Sequence, residues 1–283
     1  MELQVVKNEV IKLIDIALSE DIGKGDITSE ACIDDDASLT AKLILKQHGK
    51  LAGLPFLATI FQHVDPRITL DLYVREGSEH SAGTIIGSVS GPARGIMSAE
   101  LVALNIVQHA SGIASTTALY VEQVAGFPCE ILDTRKTLPG LRYLEKYAVK
   151  IGGGHNHRYG LDEKFVINKK HLSFLAKTSK SPIKEAVKRA RKYRPGINVE
   201  IAVESLDLIE EALAAEADII MLERMTIPQV CQAVKIINHR ARVEFKGCVT
   251  LETVLAFAQT GVDGISIKDL THSIQDLDIR LKF

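Results

Sequence analysis

Apolar residues recur at helical spacing near the start of the chain, where Val10, Ile11, Ile14 and Leu18 share one face of residues 8–18. The stretch EDIGKGDITSE (20–30) pairs glycines with acids and reads as a charged turn. Residues 39–53 alternate, with Leu43 and Leu45 set against Lys42, Ile44 and Lys46. Ile68, Leu70, Leu72 and Val74 alternate in the same way with Thr69, Asp71 and Tyr73. Both patterns predict strands of a half-buried sheet, with a short helix from Pro55 to His63 between them. GTIIGSVSGPARG (83–95) is glycine-spaced and reads as turns. Ser98 is placed as the cap of a long helix that carries Leu101, Leu104, Val107 and Ala110.

After Phe127 the pattern changes to strict strand–helix alternation. Predicted strands are CEILD (129–133), FVIN (165–168), NVEIAV (198–203), DIIML (218–222), RVEF (242–245) and DGISI (263–267). Predicted helices cover 141–150, 183–193, 206–217, 227–239 and 251–261. Such alternation calls for a parallel sheet with right-handed crossovers. With six readable strands, an incomplete barrel and an open doubly wound sheet both fit.

Composition narrows the function classes. Hydrophobic residues make up 46% of the 283, enough for a large aliphatic core in one domain or two. No apolar run approaches the ~20 residues of a membrane span. The start MELQVVKNEV lacks the basic and apolar regions of a signal peptide, so a cytoplasmic protein is expected. Cys32, Cys129, Cys231 and Cys248 are scattered without a CxxC, and buried reduced thiols are expected. A net charge of −2 and 5% aromatic residues argue against a nucleic-acid binder. His155 and His157 lie on a glycine loop with no HExxH or CxxC nearby, which argues against a metal enzyme.

One stretch departs from the near-neutral background. Residues 131–171 hold nine Lys/Arg against four Asp/Glu, an excess of five positive charges. Within it, DTRKT (133–137) and GGGHNHR (152–158) flank a short helical pattern. Local positive charge in such a chain suggests a small anionic ligand. The glycine triplet permits close backbone approach, and Arg135 and Arg158 suit bidentate carboxylate or phosphate binding. Counting positions just after the strands, where barrel ligands sit, gives Arg135, Lys136, Asn168, Glu204, Glu223, Lys246, Gly247 and Lys268.

The run DTRKTLPGLRYLEKYAVKIGGGHNHRYGL (133–161) resembles the signature of the quinolinate phosphoribosyltransferase family, the carboxylating nicotinate-nucleotide pyrophosphorylases. The similarity continues through SGIAS (111–115), ADIIML (217–222) and LTHS (270–273). It implies an α/β fold with an incomplete parallel α/β barrel. The expected domains are 1–112, α+β with a linking helix, and 113–270, the barrel with the active site. Residues 271–283 are expected to pack back on the first domain. It further implies joining of quinolinate to phosphoribosyl pyrophosphate with Mg²⁺, loss of CO₂, and formation of nicotinate mononucleotide. By resemblance Thr134, Arg135, His157 and Arg158 hold the pyridine carboxylate, and Lys136 reaches the pyrophosphate side. A homodimer, or an assembly of dimers, is implied as well, with residue 101 reaching a neighbouring pocket.

Several positions depart from the family pattern. A pocket arginine is Leu101, a pocket lysine is Asn168, and a carboxylate for Mg²⁺ and ribose is Ala202. Glu200 and Glu204 lie two residues to either side of Ala202 on the same strand face, leaving Glu223, Glu204 and Glu200 as catalytic carboxylates and Glu223 and Glu204 as Mg²⁺ ligands. The family's phosphate-binding glycine turns read Lys246-Gly247-Cys248 and Ser266-Ile267-Lys268 here. Three functions follow: the quinolinate enzyme, a paralogue with another acceptor or donor such as the pyrophosphorylase-like proteins of molybdenum transport, or a non-catalytic binder of aromatic carboxylates.

Overall fold

The computed structural model describes residues 3–283. They form two compact units, each assembled from separate stretches of chain: 3–118 with 136–153 and 269–283, and 119–135 with 154–268.

The first unit opens with α1 (Leu3–Ile22), whose Val6, Val10, Ile14 and Leu18 are buried at i, i+4 spacing. Asp26 then caps α2 (Ile27–Cys32), accepting from the amides of Thr28 and Ser29. Residues 20–30 are thus a turn leading into a short helix that periodicity does not reveal. Next come β1 (Ser38–Leu45), β2 (Gly49–Lys50), α3 (Leu54–Val64), β3 (Thr69–Leu72), β4 (Glu79–His80) and β5 (Ile85–Pro92). β5 corrects the turn reading of 83–95: it is an inner strand, paired antiparallel to both β1 and β3. Its glycines reflect crowding, because a Cβ on Gly87 would come within 2.5 Å of the Asp71 carbonyl. β3 is an edge strand with Leu72 exposed, shorter and less buried than its alternation suggests.

The long helix α4 (Ala93–Gln123) begins earlier than expected. Ser98 lies inside it, its hydroxyl donating back to the Arg94 carbonyl and across to Asp26. The first turn is secured instead by Arg94, whose guanidinium donates to the Ile33 carbonyl.

The second unit holds β6 (Glu130–Leu132), and its remaining strands follow α5 (Arg142–Ile151), which belongs to the first unit. They are β7 (Phe165–Ile167), β8 (Val199–Val203), β9 (Ile219–Glu223), β10 (Arg242–Lys246) and β11 (Gly264–Ser266). Between them run α6 (Lys169–Leu175), α7 (Pro182–Tyr193), a 3₁₀ turn with α8 (Ile209–Ala214), α9 (Ile227–Ile237) and α10 (Leu251–Ala258). All pairings are parallel, in the order β6-β11-β10-β9-β8-β7. The first strand therefore bonds to the last. An open doubly wound sheet does not do that, and an incomplete barrel does. Beyond β6, His155 continues the ring through a parallel bridge to Leu132. Every residue of β8 is buried, as a parallel strand covered on both faces requires.

The chain then re-enters the first unit through α11 (Asp269–His272) and β12 (Ile279–Lys282), which pairs antiparallel with β1 from Lys42↔Lys282 to Leu45↔Ile279. The cysteines are unpaired, as expected, but Cys32 and Cys248 are exposed and Cys129 and Cys231 half-buried, so burial of all four is corrected. Among the described residues no helix is long and apolar enough to cross a membrane.

Candidate active site

β6 ends at Leu132 and releases the DTRKT run. Asp133 is fully buried and accepts from the His157 amide at 2.9 Å and from Asn156 Nδ2 at 2.7 Å. Backbone bonds from Asp133 to the His155 carbonyl and from His155 to the Ile131 carbonyl complete the seam. The two motifs of the sequence are thus joined at one strand end. The first glycine of the triplet is required by packing. A Cβ on Gly152 would sit 2.7 Å from the Ala114 carbonyl, so this glycine lets α5 end against α4.

Arg135, Arg158, Lys164 and Asn168 line one cleft of about 670 Å³ beside β7, with Val166, Ile167, Leu161 and Leu175 as its apolar wall. Arg158 Nη1 donates to the Lys164 carbonyl, which aims the guanidinium. Burial, and next the like charge of Arg135, hold the Arg158 pKa below its ordinary value. Two guanidiniums that repel each other across one cleft are relieved by an anion between them. Asn168 also faces this cleft, yet its side chain accepts from the Lys170 amide and caps α6.

His157 lies deeper than a ligand-facing group. Its Nε2 is 2.8 Å from Glu200 and 3.4 Å from Glu244, and its side chain is 9% exposed. Burial by itself would lower the His157 pKa, but hydrogen bonds to Glu200 and Glu244 prevail and raise it. Burial likewise works against ionised Glu244, yet His157 and the charges of Lys164 and Arg242 hold its pKa low. Lys164 Nζ completes the cluster at 3.0 Å from Glu200 and 3.2 Å from His157. One oxygen of Glu200 is buried without a protein hydrogen bond, and Glu244 Oε2 has only the long 3.4 Å approach of His157 Nε2. Ligand atoms of His157, Glu200 and Glu244 converge within 4.8 Å. The Lys164 ammonium stands against two of the three, so the cluster is compensated internally. Glu244 and Lys164 were not singled out from sequence. The available signal was an acid at the middle of the buried strand RVEF.

At the strand ends the remaining candidates fall into two groups. Lys246 Nζ donates to Glu223 Oε1 at 2.8 Å. Lys169 Nζ donates to Glu204 Oε2 at 2.7 Å, and Arg224 reaches Glu204 at 3.5 Å. These bonds, with Lys169 first, draw the Glu204 pKa below its usual range. Ala202 is buried and has no side-chain oxygen. The two carboxylates expected to hold Mg²⁺ therefore each face an ammonium of the same chain. Gly247 is fixed by packing, since a Cβ there would lie 2.8 Å from the Phe245 ring, which itself stacks on Phe257 at 4.1 Å. Ser266 is buried at the end of β11, and Thr134 and Lys268 are half-buried.

Lys136 and Leu101 belong to the first unit. Lys136 is exposed, and its carbonyl accepts from Thr271 Oγ1. The loop that follows is held by buried Glu145, which accepts from the Leu138 amide and lies 3.2 Å from His109 Nε2. Leu101 is 54% exposed on α4.

Family models match almost the whole chain. The quinolinate phosphoribosyl transferase N-terminal domain matches residues 26–111 and its C-terminal domain residues 113–282. The chain belongs to the quinolinate phosphoribosyl transferase family. A probable nicotinate-nucleotide pyrophosphorylase [carboxylating] of Bacillus subtilis is 38% identical over 271 residues, covering 95% of this chain and 92% of the relative. A chloroplastic nicotinate-nucleotide pyrophosphorylase [carboxylating] of Arabidopsis thaliana is 40% identical over 290 residues, covering 95% and 81%. The crystal structure of NadC from Streptococcus pyogenes superposes with a TM-score of 0.91 at 37% identity, covering 96% of this chain and 95% of that one. The quinolinate phosphoribosyl transferase fold thus extends over both units.

Proposed function

We propose that this protein is a phosphoribosyltransferase of pyridine nucleotide synthesis, converting quinolinate and phosphoribosyl pyrophosphate to nicotinate mononucleotide, diphosphate and CO₂. The observation that carries the reading is the convergence of Arg135 and Arg158 on one half-apolar cleft beyond the strand ends. A planar aromatic diacid offers carboxylates to both guanidiniums and a ring face to Val166, Ile167 and Leu161. The pyridine nitrogen then bonds to the ribose C1 as diphosphate leaves. The carboxyl carbon beside the ring nitrogen departs as CO₂, and a proton takes its place. The work of the protein's own residues is charge compensation and orientation, with Asp133 keeping the two arginine loops together.

Asn168 favours a second reading. Its side chain caps α6 and adds no positive charge to the cleft. A paralogue whose acceptor has a single carboxylate fits that arrangement. The four unpaired cysteines support a cytoplasmic location, and burial pushes the Cys129 thiol up to about 12. Met97 and Leu101, both exposed one turn apart on α4, support a homodimer.

The test mixes the protein with phosphoribosyl pyrophosphate, Mg²⁺ and a panel of pyridine carboxylates, and measures diphosphate and CO₂. Both products in equal amount from quinolinate are expected. Diphosphate without CO₂, from a monocarboxylate alone, establishes the second reading. Neither product from any acceptor refutes both.

A further inference from the structure

The mouth of the barrel carries its own counterions. The register aligns Glu223 with Lys246, and Lys246 with Ser266, on neighbouring parallel strands. The Lys246 ammonium projects from the end of β10 and closes on Glu223 at 2.8 Å. One strand further round, Lys169 at the start of α6 and Arg224 after β9 close on Glu204. Ala202, 4% exposed, stands on β8 two residues before Glu204 and level with Met221 of β9, and brings no carboxylate. A protein holds Mg²⁺ at such a site through one or two carboxylates together with substrate phosphates, and an ammonium already set against a carboxylate competes with the cation for it. Here each acid has an ammonium against it, and Ala202 presents only a methyl group.

We propose that Lys246 takes the place of a protein-held divalent cation, so that this mouth binds a diphosphate-bearing ligand through ammonium groups without a metal anchored on the chain. The Glu223–Lys246 pair orients Nζ at the strand end, and Lys246 keeps 45% of its side chain exposed, open to a ligand. The ammonium has three N–H donors, so it can donate to a phosphate oxygen while keeping its bond to Glu223. The proposal rests on the phosphoribosyltransfer reading only for the identity of the donor. The metal measurement below does not depend on it.

The experiment uses the full chain and two probes, Mn²⁺ and inorganic diphosphate. Electron paramagnetic resonance follows free Mn²⁺ as protein is added, and calorimetry follows diphosphate with and without a chelator. The unsubstituted protein is expected to leave the Mn²⁺ signal unattenuated and to bind diphosphate equally, within about threefold, in both conditions. Lys246→Met is expected to lose about tenfold or more in diphosphate affinity, the loss of one charge-assisted hydrogen bond. Lys246→Arg, which retains the charge, is expected to keep most of the affinity and guards against a folding artefact. The double variant Ala202→Asp with Lys246→Met is expected to gain Mn²⁺ binding and to make diphosphate binding chelator-sensitive. Stoichiometric Mn²⁺ binding by the unsubstituted protein overturns the proposal. So does a more than tenfold fall in its diphosphate affinity on chelation, or unchanged affinity in Lys246→Met. Absence of turnover with every pyridine carboxylate would remove the functional reading while leaving these metal results interpretable.

Discussion

Asp133 accepts a hydrogen bond from the backbone amide of His157, 24 residues further along the chain, and another from Asn156. One buried carboxylate therefore fixes the spacing between the loop of Arg135 and the loop of Arg158. Asp133→Ala leaves buried donors unpaired, at about 1–3 kcal/mol each. It is expected to lower the denaturant midpoint and to weaken quinolinate binding by about tenfold, whereas Asp133→Asn, which still accepts, is expected to lose less. Chemical denaturation and calorimetry on both variants check this. Equal binding by Asp133→Ala and the unsubstituted protein would show that the loops hold their spacing without the carboxylate.

Arg135→Ala and Arg158→Ala are each expected to weaken quinolinate binding by about 10- to 150-fold, corresponding to one charge-assisted interaction of roughly 1.5–3 kcal/mol. Lysine at either position is expected to recover little, because the planar fork is lost. Calorimetry reads both effects. Unchanged affinity in both alanine variants would make the arginines scaffold.

Asn168→Lys separates two roles of one side chain. Removing the cap of α6 is expected to cost about 1 kcal/mol, a fall of about 2 °C in melting temperature. The added ammonium beside the cleft is expected to tighten quinolinate binding severalfold if the ligand carries two carboxylates. A stability loss with no gain in affinity would favour a monocarboxylate.

His157 gives a pH signature. Its folded pKa is raised above the unfolded value of about 6.5, so its stabilising effect is complete below that pH and disappears as pH rises through the folded value. The stability difference between the unsubstituted protein and His157→Gln should be largest at mildly acidic pH and shrink toward alkaline pH. Denaturation midpoints across that range measure it. A difference that grows with pH would show that His157 is buried neutral.

Gly152→Ala places a methyl group 2.6 Å from Thr117 Cβ and 2.7 Å from a backbone carbonyl. Neither contact can yield cheaply, and a destabilisation of roughly 1–3 kcal/mol is expected by thermal or chemical unfolding. A neutral substitution would mean that α4 and α5 can separate at no cost.

The barrel was legible because its strands and helices alternate with clear periods, down to the six strands from β6 to β11. The N-terminal sheet was less so. In β5, Gly87 and Gly91 serve close strand packing, and the same residues in isolation signal turns. Ser98 has the chemistry of a cap, yet tertiary bonds to Asp26 place it within α4. At the site, strand-end counting located Arg135, Asn168, Glu204, Glu223 and Lys246, because position after a strand depends on register alone. What each side chain faces depends on partners far away in sequence. The pairing of Lys246 with Glu223, the burial of His157 between Glu200 and Glu244, and the intrusion of Lys164 all lie beyond that kind of reading.

The pairing of Lys42 with Lys282 sets an order on biosynthesis. β1 leaves the ribosome early, but its outer neighbour is made 240 residues later. At about 5–20 residues per second, that edge stays unpaired for roughly 10–50 s. Nascent domains usually complete themselves from the N-terminus, yet this N-terminal sheet closes only after the barrel strands have been synthesised. During that interval, the unpaired edge of β1 is open to pairing with another chain.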